Sequence, residues 1–210
     1  MPFIFKRLAL LMSIAAAAIS YNQAANNQAA NFQAEKDHPA FHPPPAAELP
    51  HHQTNGQVTI GADPYTAGEK LKAAFGKLNP YQYGILPVLI AIQNASGQSI
   101  RMDGMKAEYV GPHGDRIEAT PAKDVRYTKG AGGPPPPPIG VIPRHIKKSP
   151  LDVWEIEGRA FAAEMIPPAN SAFGFLYFQT GIQKGATIYL SGMTEAASGK
   201  ELLFFEIPLL

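Results

Sequence analysis

Four histidines, His38, His42, His51 and His52, crowd into fifteen residues near the N-terminus. Imidazoles at such spacing can capture Zn²⁺, Cu²⁺ or Ni²⁺ in an adaptable, weakly specific way. Glu155 and Glu157 stand two apart, the spacing that places two carboxylates on one face of a strand, where acid–base chemistry is conceivable. Between Asp124 and Asp152 the chain carries no acid but five strong bases, Arg126, Lys129, Arg144, Lys147 and Lys148, with His145 among them. That cluster follows five consecutive prolines, Pro134–Pro138, and the apolar stretch Ile139–Ile142.

The motifs of common catalysts are missing. There is no Gly-x-Ser-x-Gly elbow and no His-Glu-x-x-His pair for zinc. The "GAGG" at Gly130 is followed by prolines rather than by a helix and Lys-Ser/Thr, so it is not a phosphate cradle. The chain has no cysteine, which excludes thiol nucleophiles, Cys-based metal sites and disulfides. With a formal net charge of +1, it lacks the basic bias of a nucleic-acid binder. The sequence therefore implies no cofactor and no enzyme. Its strongest contact candidates are Arg144, His145, Lys147, Lys148, Ile139 and Ile142, with the four histidines as a weaker metal candidate.

Three sets of elements must position these groups. Lys6 and Arg7 precede an uncharged run, Leu8–Ile19, with small residues at Ala18 and Ser20, the layout of a secretory signal peptide over residues 1–20. The run has twelve residues, whereas a membrane-spanning helix needs about 20; retention as an anchor is the alternative. Residues 21–55, Asn/Gln/Ala-rich and then Pro/His-rich, hold too few apolar residues to bury and read as a disordered tether. Residues 56–210 read as the folded domain, interrupted by a Pro-rich basic loop at 128–150.

Within the domain, Gln57–Ala62 alternates as a first strand, and Leu71, Phe75 and Leu78 give one stripe of a short helix over Ala67–Leu78. "ILPVLIAIQN" is apolar on both faces, Val88, Ile90 and Ile92 opposing Leu89 and Ala91, as expected of a central covered strand. Met105, Ala107 and Tyr109 alternate with Lys106 and Glu108. Leu151–Met165 carries both periods; its Trp, Ile, Val and Phe favour a strand, and Gly158 weakens the helical alternative. Phe173, Phe175, Tyr177, Tyr189, Phe204 and Phe205 supply aromatic inner faces. Short strands with turn signals every 8–12 residues argue for an all-β, antiparallel sandwich of seven to eight strands with one accessory helix. A closed barrel with a ligand cavity is the alternative.

The stretch "MIPPANSAFGFLYF" (Met165–Phe178) resembles bacterial exported immunoglobulin-like sandwich domains of uncharacterised function, in which a Pro-Pro-Gly-x-Ser turn precedes a strand of the form Gly-x-hydrophobic-x-Phe. Pro167, Pro168, Ser171, Gly174 and Phe178 match. Ala169 stands where that pattern has glycine, so either the turn takes another shape or Asn170 turns left-handed. The resemblance implies an immunoglobulin-like fold and an envelope location, periplasmic or extracellular, but no activity.

The proline run has three readings. It projects the apolar tip and basic flank toward a protein, wall polymer or anionic membrane surface; it covers a sheet edge against pairing; or it is an insertion without a task. The functional expectation is a non-enzymatic binding or structural module of the cell envelope. The alternative is a small-molecule or metal carrier using the sandwich interior or the histidines.

Overall fold

The computed structural model describes residues 41–128, 149–202 and 204–210. The signal-peptide reading, most of the tether and the greater part of the Pro-rich loop lie outside them. Among the described residues are eleven strands, three short α-helices and two 3-10 turns, so the strand and helix counts both exceed those expected from the sequence. No described helix is long and apolar enough to cross a membrane.

The domain begins earlier than residue 56. Strand β1 (His51–Asn55) pairs with β2 (Val58–Pro64) in a hairpin, Asn55 opposite Val58. The two turn residues, Gly56 and Gln57, both have positive φ, 53° and 66°, as a type I′ turn requires to match the strand twist. "HHQTN" carries no apolar alternation, which is why it passed for tether. It is an edge strand, half-exposed along its length.

Strand β3 (Leu86–Asn94) lies between β2 and β8 (Asn170–Phe178), giving an antiparallel sheet in the order β1-β2-β3-β8. A second sheet follows the order β11-β9-β5-β6, from β5 (Lys106–Val110), β6 (Arg116–Glu118), β9 (Thr187–Ser191) and β11 (Phe205–Pro208). Three two-residue strands, β4 (Ile100–Arg101), β7 (Met165–Ile166) and β10 (Thr194–Glu195), form a third small sheet.

The first two sheets share one buried core. Ile60, Val88, Ile90 and Phe178 from one meet Tyr109, Ile188, Leu190 and Ile207 from the other. Each such side chain contributes about 1.5–3 kcal/mol on burial. Tyr109 and Phe178 pack with ring centroids 6.2 Å apart. At one margin Gln53 Oε1 accepts from the Glu206 amide at 2.8 Å, and Asn55 Nδ2 donates to the Phe204 carbonyl at 3.1 Å, so side-chain amides join β1 to the end of the second sheet.

The opposite face of the first sheet is also covered, which is why β3 is apolar on both sides. Helix α1 (Gly68–Phe75) buries Leu71, Ala74 and Phe75 there and stops at Gly76, whose φ of 62° ends the helix three residues before Leu78. Helices α2 (Ala122–Val125) and α3 (Trp154–Gly158) add Val125 and Ile156. Phe175 meets Phe75 at 4.8 Å and Tyr65 edge-on at 4.9 Å. The aromatic face of β8 therefore serves the helix layer, not the space between the sheets. Phe173 and Phe204, expected inside, are about half exposed.

Leu151–Met165 is likewise not one strand. Trp154–Gly158 is helical, and only Ala160 bridges β8, in parallel with Phe175. Tertiary contact decides this: the buried Tyr177 hydroxyl donates to the Ile156 carbonyl at 2.8 Å, tying the helix to the sheet. The Pro167–Asn170 turn corrects a second expectation. Ala169 itself is left-handed, φ 56°, so the turn keeps the shape for which the resembling pattern uses glycine. Alanine in that region is disfavoured by about 1–2 kcal/mol. Replacing Ala169 by glycine should raise stability by about 0.5–1 kcal/mol, net of the entropy glycine adds to the unfolded chain; a higher urea midpoint at unchanged slope checks it.

Burial shifts the tyrosines. Tyr65 is pushed up to about 12 by burial and by the Asp63 carboxylate, and burial raises Tyr177 and Tyr109 above the usual range. A phenol whose folded pKa is raised favours the folded state while protonated. That stability is fully present below the unfolded value near 10 and is lost as pH rises through the folded value. Stability should therefore fall from about pH 10 upward. Urea unfolding at pH 9 and pH 11, with phenolate absorbance followed in parallel, checks it: the midpoint drops, and part of the tyrosine ionises only on unfolding.

Candidate functional site

The expected contact residues Ile139, Ile142, Arg144, His145, Lys147 and Lys148 all lie outside the described residues. The platform carrying that segment is described on both sides. Before it, Val125 is fully buried at the end of α2, and the Thr128 hydroxyl donates to the Val125 carbonyl at 2.9 Å. After it, the Ser149 hydroxyl accepts from the Leu151 amide at 3.2 Å, and Leu151 is buried.

Arg126 joins the two sides. Its Nε donates to the Lys123 carbonyl at 2.9 Å, one terminal nitrogen to Asp152 Oδ1 at 2.9 Å and the other to Glu157 Oε1 at 3.0 Å. Its guanidinium also sits 5.5 Å from the Tyr127 ring centre. Charge-assisted bonds from a planar fork fix geometry as well as adding attraction. Arg126 is thus part of the base, neutralised by two acids, and not part of a free basic cluster as the count along the sequence suggested. Tyr127 is exposed beside it, and Trp154, at the start of α3, is exposed as well. The Trp154 indole lies against Gly158, where a Cβ would fall 2.4 Å from the ring; the glycine that argued against a helix is the residue that lets the ring lie flat on one.

The other candidates separate. Glu155 and Glu157 lie on α3, where residues two apart do not face each other, so they are not a carboxylate pair on one strand face. His51 and His52 are successive residues of β1, and successive strand side chains point to opposite faces. His52 Nδ1 lies 3.2 Å from the Leu49 carbonyl oxygen. His42 is exposed, and His38 lies outside the described residues. No group of three or more metal-ligating side chains occurs among the described residues.

Sequence reasoning missed a groove of about 360 Å³ between the segment Pro43–Ala46 and strands β3 and β8. Its wall descends onto the sheet because Gly61 has no Cβ. One placed there would fall 2.3 Å from the Ala46 carbonyl oxygen and 2.9 Å from Leu49. The signal was present as "HPPPAAELP", set aside as tether, and as Phe173, assigned to the core.

No protein-family model and no curated protein matches this chain. Solved bacterial structures do. The yjhA protein of Bacillus subtilis is similar over 77% of this chain and 98% of its own, at 12% identity and a TM-score of 0.44. The ycdA protein of Bacillus subtilis is similar over 75% of this chain and 38% of its own, at 12% identity and 0.37. A functionally unknown protein of Listeria monocytogenes is similar over 76% of this chain and 82% of its own, at 10% identity and 0.35.

Proposed function

We propose that the chain is an exported, non-enzymatic binding or structural module of the bacterial envelope, built on an immunoglobulin-like sandwich and contacting its partner through the Pro-rich basic segment. The observation that supports this most is the Arg126 fork. A tolerated insertion needs no such base, whereas a contact segment gains from one, because fixing both ends lowers the entropy lost on binding. Tyr127 and Trp154 extend the contact surface with the residue types that dominate interface energies. The positive charges of Arg144, Lys147 and Lys148 then favour an anionic partner surface.

Two proteins test this: the processed chain and the same chain lacking residues 130–148, with Ser149 kept because it caps the turn into Leu151. Both are passed over immobilised envelope fractions. Loss of captured components with the deletion, at an unchanged melting temperature, supports the reading. Equal recovery overturns it.

A further inference from the structure

The groove beside Pro43–Ala46 has a chemistry distinct from that of the basic segment, and the inference drawn from it does not depend on the role of that segment. Its floor is Ala91, and one wall is Phe173, its cross-strand partner on β8. The facing wall is the rings of Pro43, Pro44 and Pro45. Two residues along and on the same face, Gln93 and Ser171 are also cross-strand partners, both exposed, and neither makes a side-chain hydrogen bond among the described residues. Asn170 closes the end, its Nδ2 donating to the Pro168 carbonyl at 2.9 Å, which leaves its Oδ1 as an acceptor. No lining side chain is ionisable. The rim is held by the left-handed Ala169; strained backbone of this kind persists where the surroundings enforce it, commonly at ligand sites.

We propose that this groove binds a neutral sugar ring. The C–H face of a pyranose fits between Phe173 and the proline rings. Its hydroxyls, each donor and acceptor, match the amide of Gln93 and the hydroxyl of Ser171, which share one face of the sheet. Small-ligand sites combine apolar walls with a few convergent polar groups in this way. A charged ligand would find no counter-charge, and a purely apolar one would leave the Gln93 amide and the Ser171 hydroxyl unsatisfied.

The test is a ¹⁵N amide-shift titration of the processed chain with N,N′-diacetylchitobiose and, separately, cellobiose. At least one should shift Ala91, Gln93, Ser171 and Phe173 saturably, with Kd on the order of 1 mM. Phe173→Ala and Gln93→Ala should each weaken it about tenfold or more while melting normally. Both positions are exposed, and either variant alone suffices if the other unfolds. Absence of shifts with both sugars, shifts elsewhere, or equal binding by a folded variant overturns the proposal. So does a proline-rich peptide shifting these amides where the sugars do not, which would assign the groove to peptide.

Discussion

Replacing Gly174 by valine should cost about 3 kcal/mol or more, among the largest losses any single substitution produces here. A Cβ at this position would fall 2.4 Å from Phe161 Cα, 2.5 Å from its amide nitrogen and 2.8 Å from the Ala160 carbonyl carbon. These are backbone atoms of a segment locked to β8 at Phe175, the residue next to the glycine. Phe175 donates its amide to the Arg159 carbonyl at 2.8 Å, and Phe161 donates to the Phe175 carbonyl at 3.0 Å. The crossing segment cannot yield without breaking both bonds. Urea unfolding of Gly174→Ala and Gly174→Val should show a graded loss, valine the worse. Gly61→Ala makes a comparable clash, 2.3 Å to the Ala46 carbonyl oxygen, but against a short segment at the domain's start. Its expected effect is smaller, because that segment can lift away, and it should disturb the sugar-binding groove first.

Asn94→Ala should lose about 3 kcal/mol by removing a knot of hydrogen bonds from a fully buried site. The two hydrogens of the Asn94 amide nitrogen are shared among three carbonyls, those of Gln98, Ile166 and Pro167, at 2.8, 3.0 and 3.1 Å. Its oxygen accepts from the Ser96 amide at 3.0 Å and the Ser96 hydroxyl at 2.6 Å. One side chain thus ties the end of β3 to the following turn and to the turn that launches β8. Alanine leaves three carbonyls short of a donor. Asn94→Asp is the sharper variant, because a carboxylate would face those carbonyl oxygens unpaired. Its folded-state pKa should rise, so its stability should recover as pH falls through that raised value. Denaturation of Asn94→Asp at pH 7 and pH 4 reads this directly, with wild type as the reference for the shared acid dependence.

Much of this architecture was legible in the residues, and what was missed has physical causes. The continuous apolar run Leu86–Asn94 announced a strand covered on both faces, and the Leu71–Phe75 stripe announced a helix. What the run could not say is that one cover is a second sheet and the other a helical layer. An inward residue looks the same against either, so the aromatic face of β8 was assigned to the wrong layer. β1 was invisible because an edge strand with both faces half-wet needs no apolar alternation; its only local marker was the glycine of the Gly56-Gln57 turn. Trp154–Gly158 was misread because helix and strand periods coincide over so short a stretch, and the deciding contact, Tyr177 to Ile156, spans 21 residues. For the candidate site, the charge count along the chain found the basic segment but also counted Arg126, which only folding brings against Asp152 and Glu157. The groove joins residues 43–46 to 91–93 and 169–173, and no local pattern links the three.

The account stands on β8 lying between two packed layers, and two ring contacts report both at once. A ¹³C-edited aromatic NOESY of the protein should show Phe175 ring protons against Phe75, whose centroids lie 4.8 Å apart, together with Phe178 against Tyr109, at 6.2 Å. Both cross-peaks in one folded species are the predicted result. Dispersed, assigned ring resonances with either contact missing would contradict it, since one layer would then not cover the sheet.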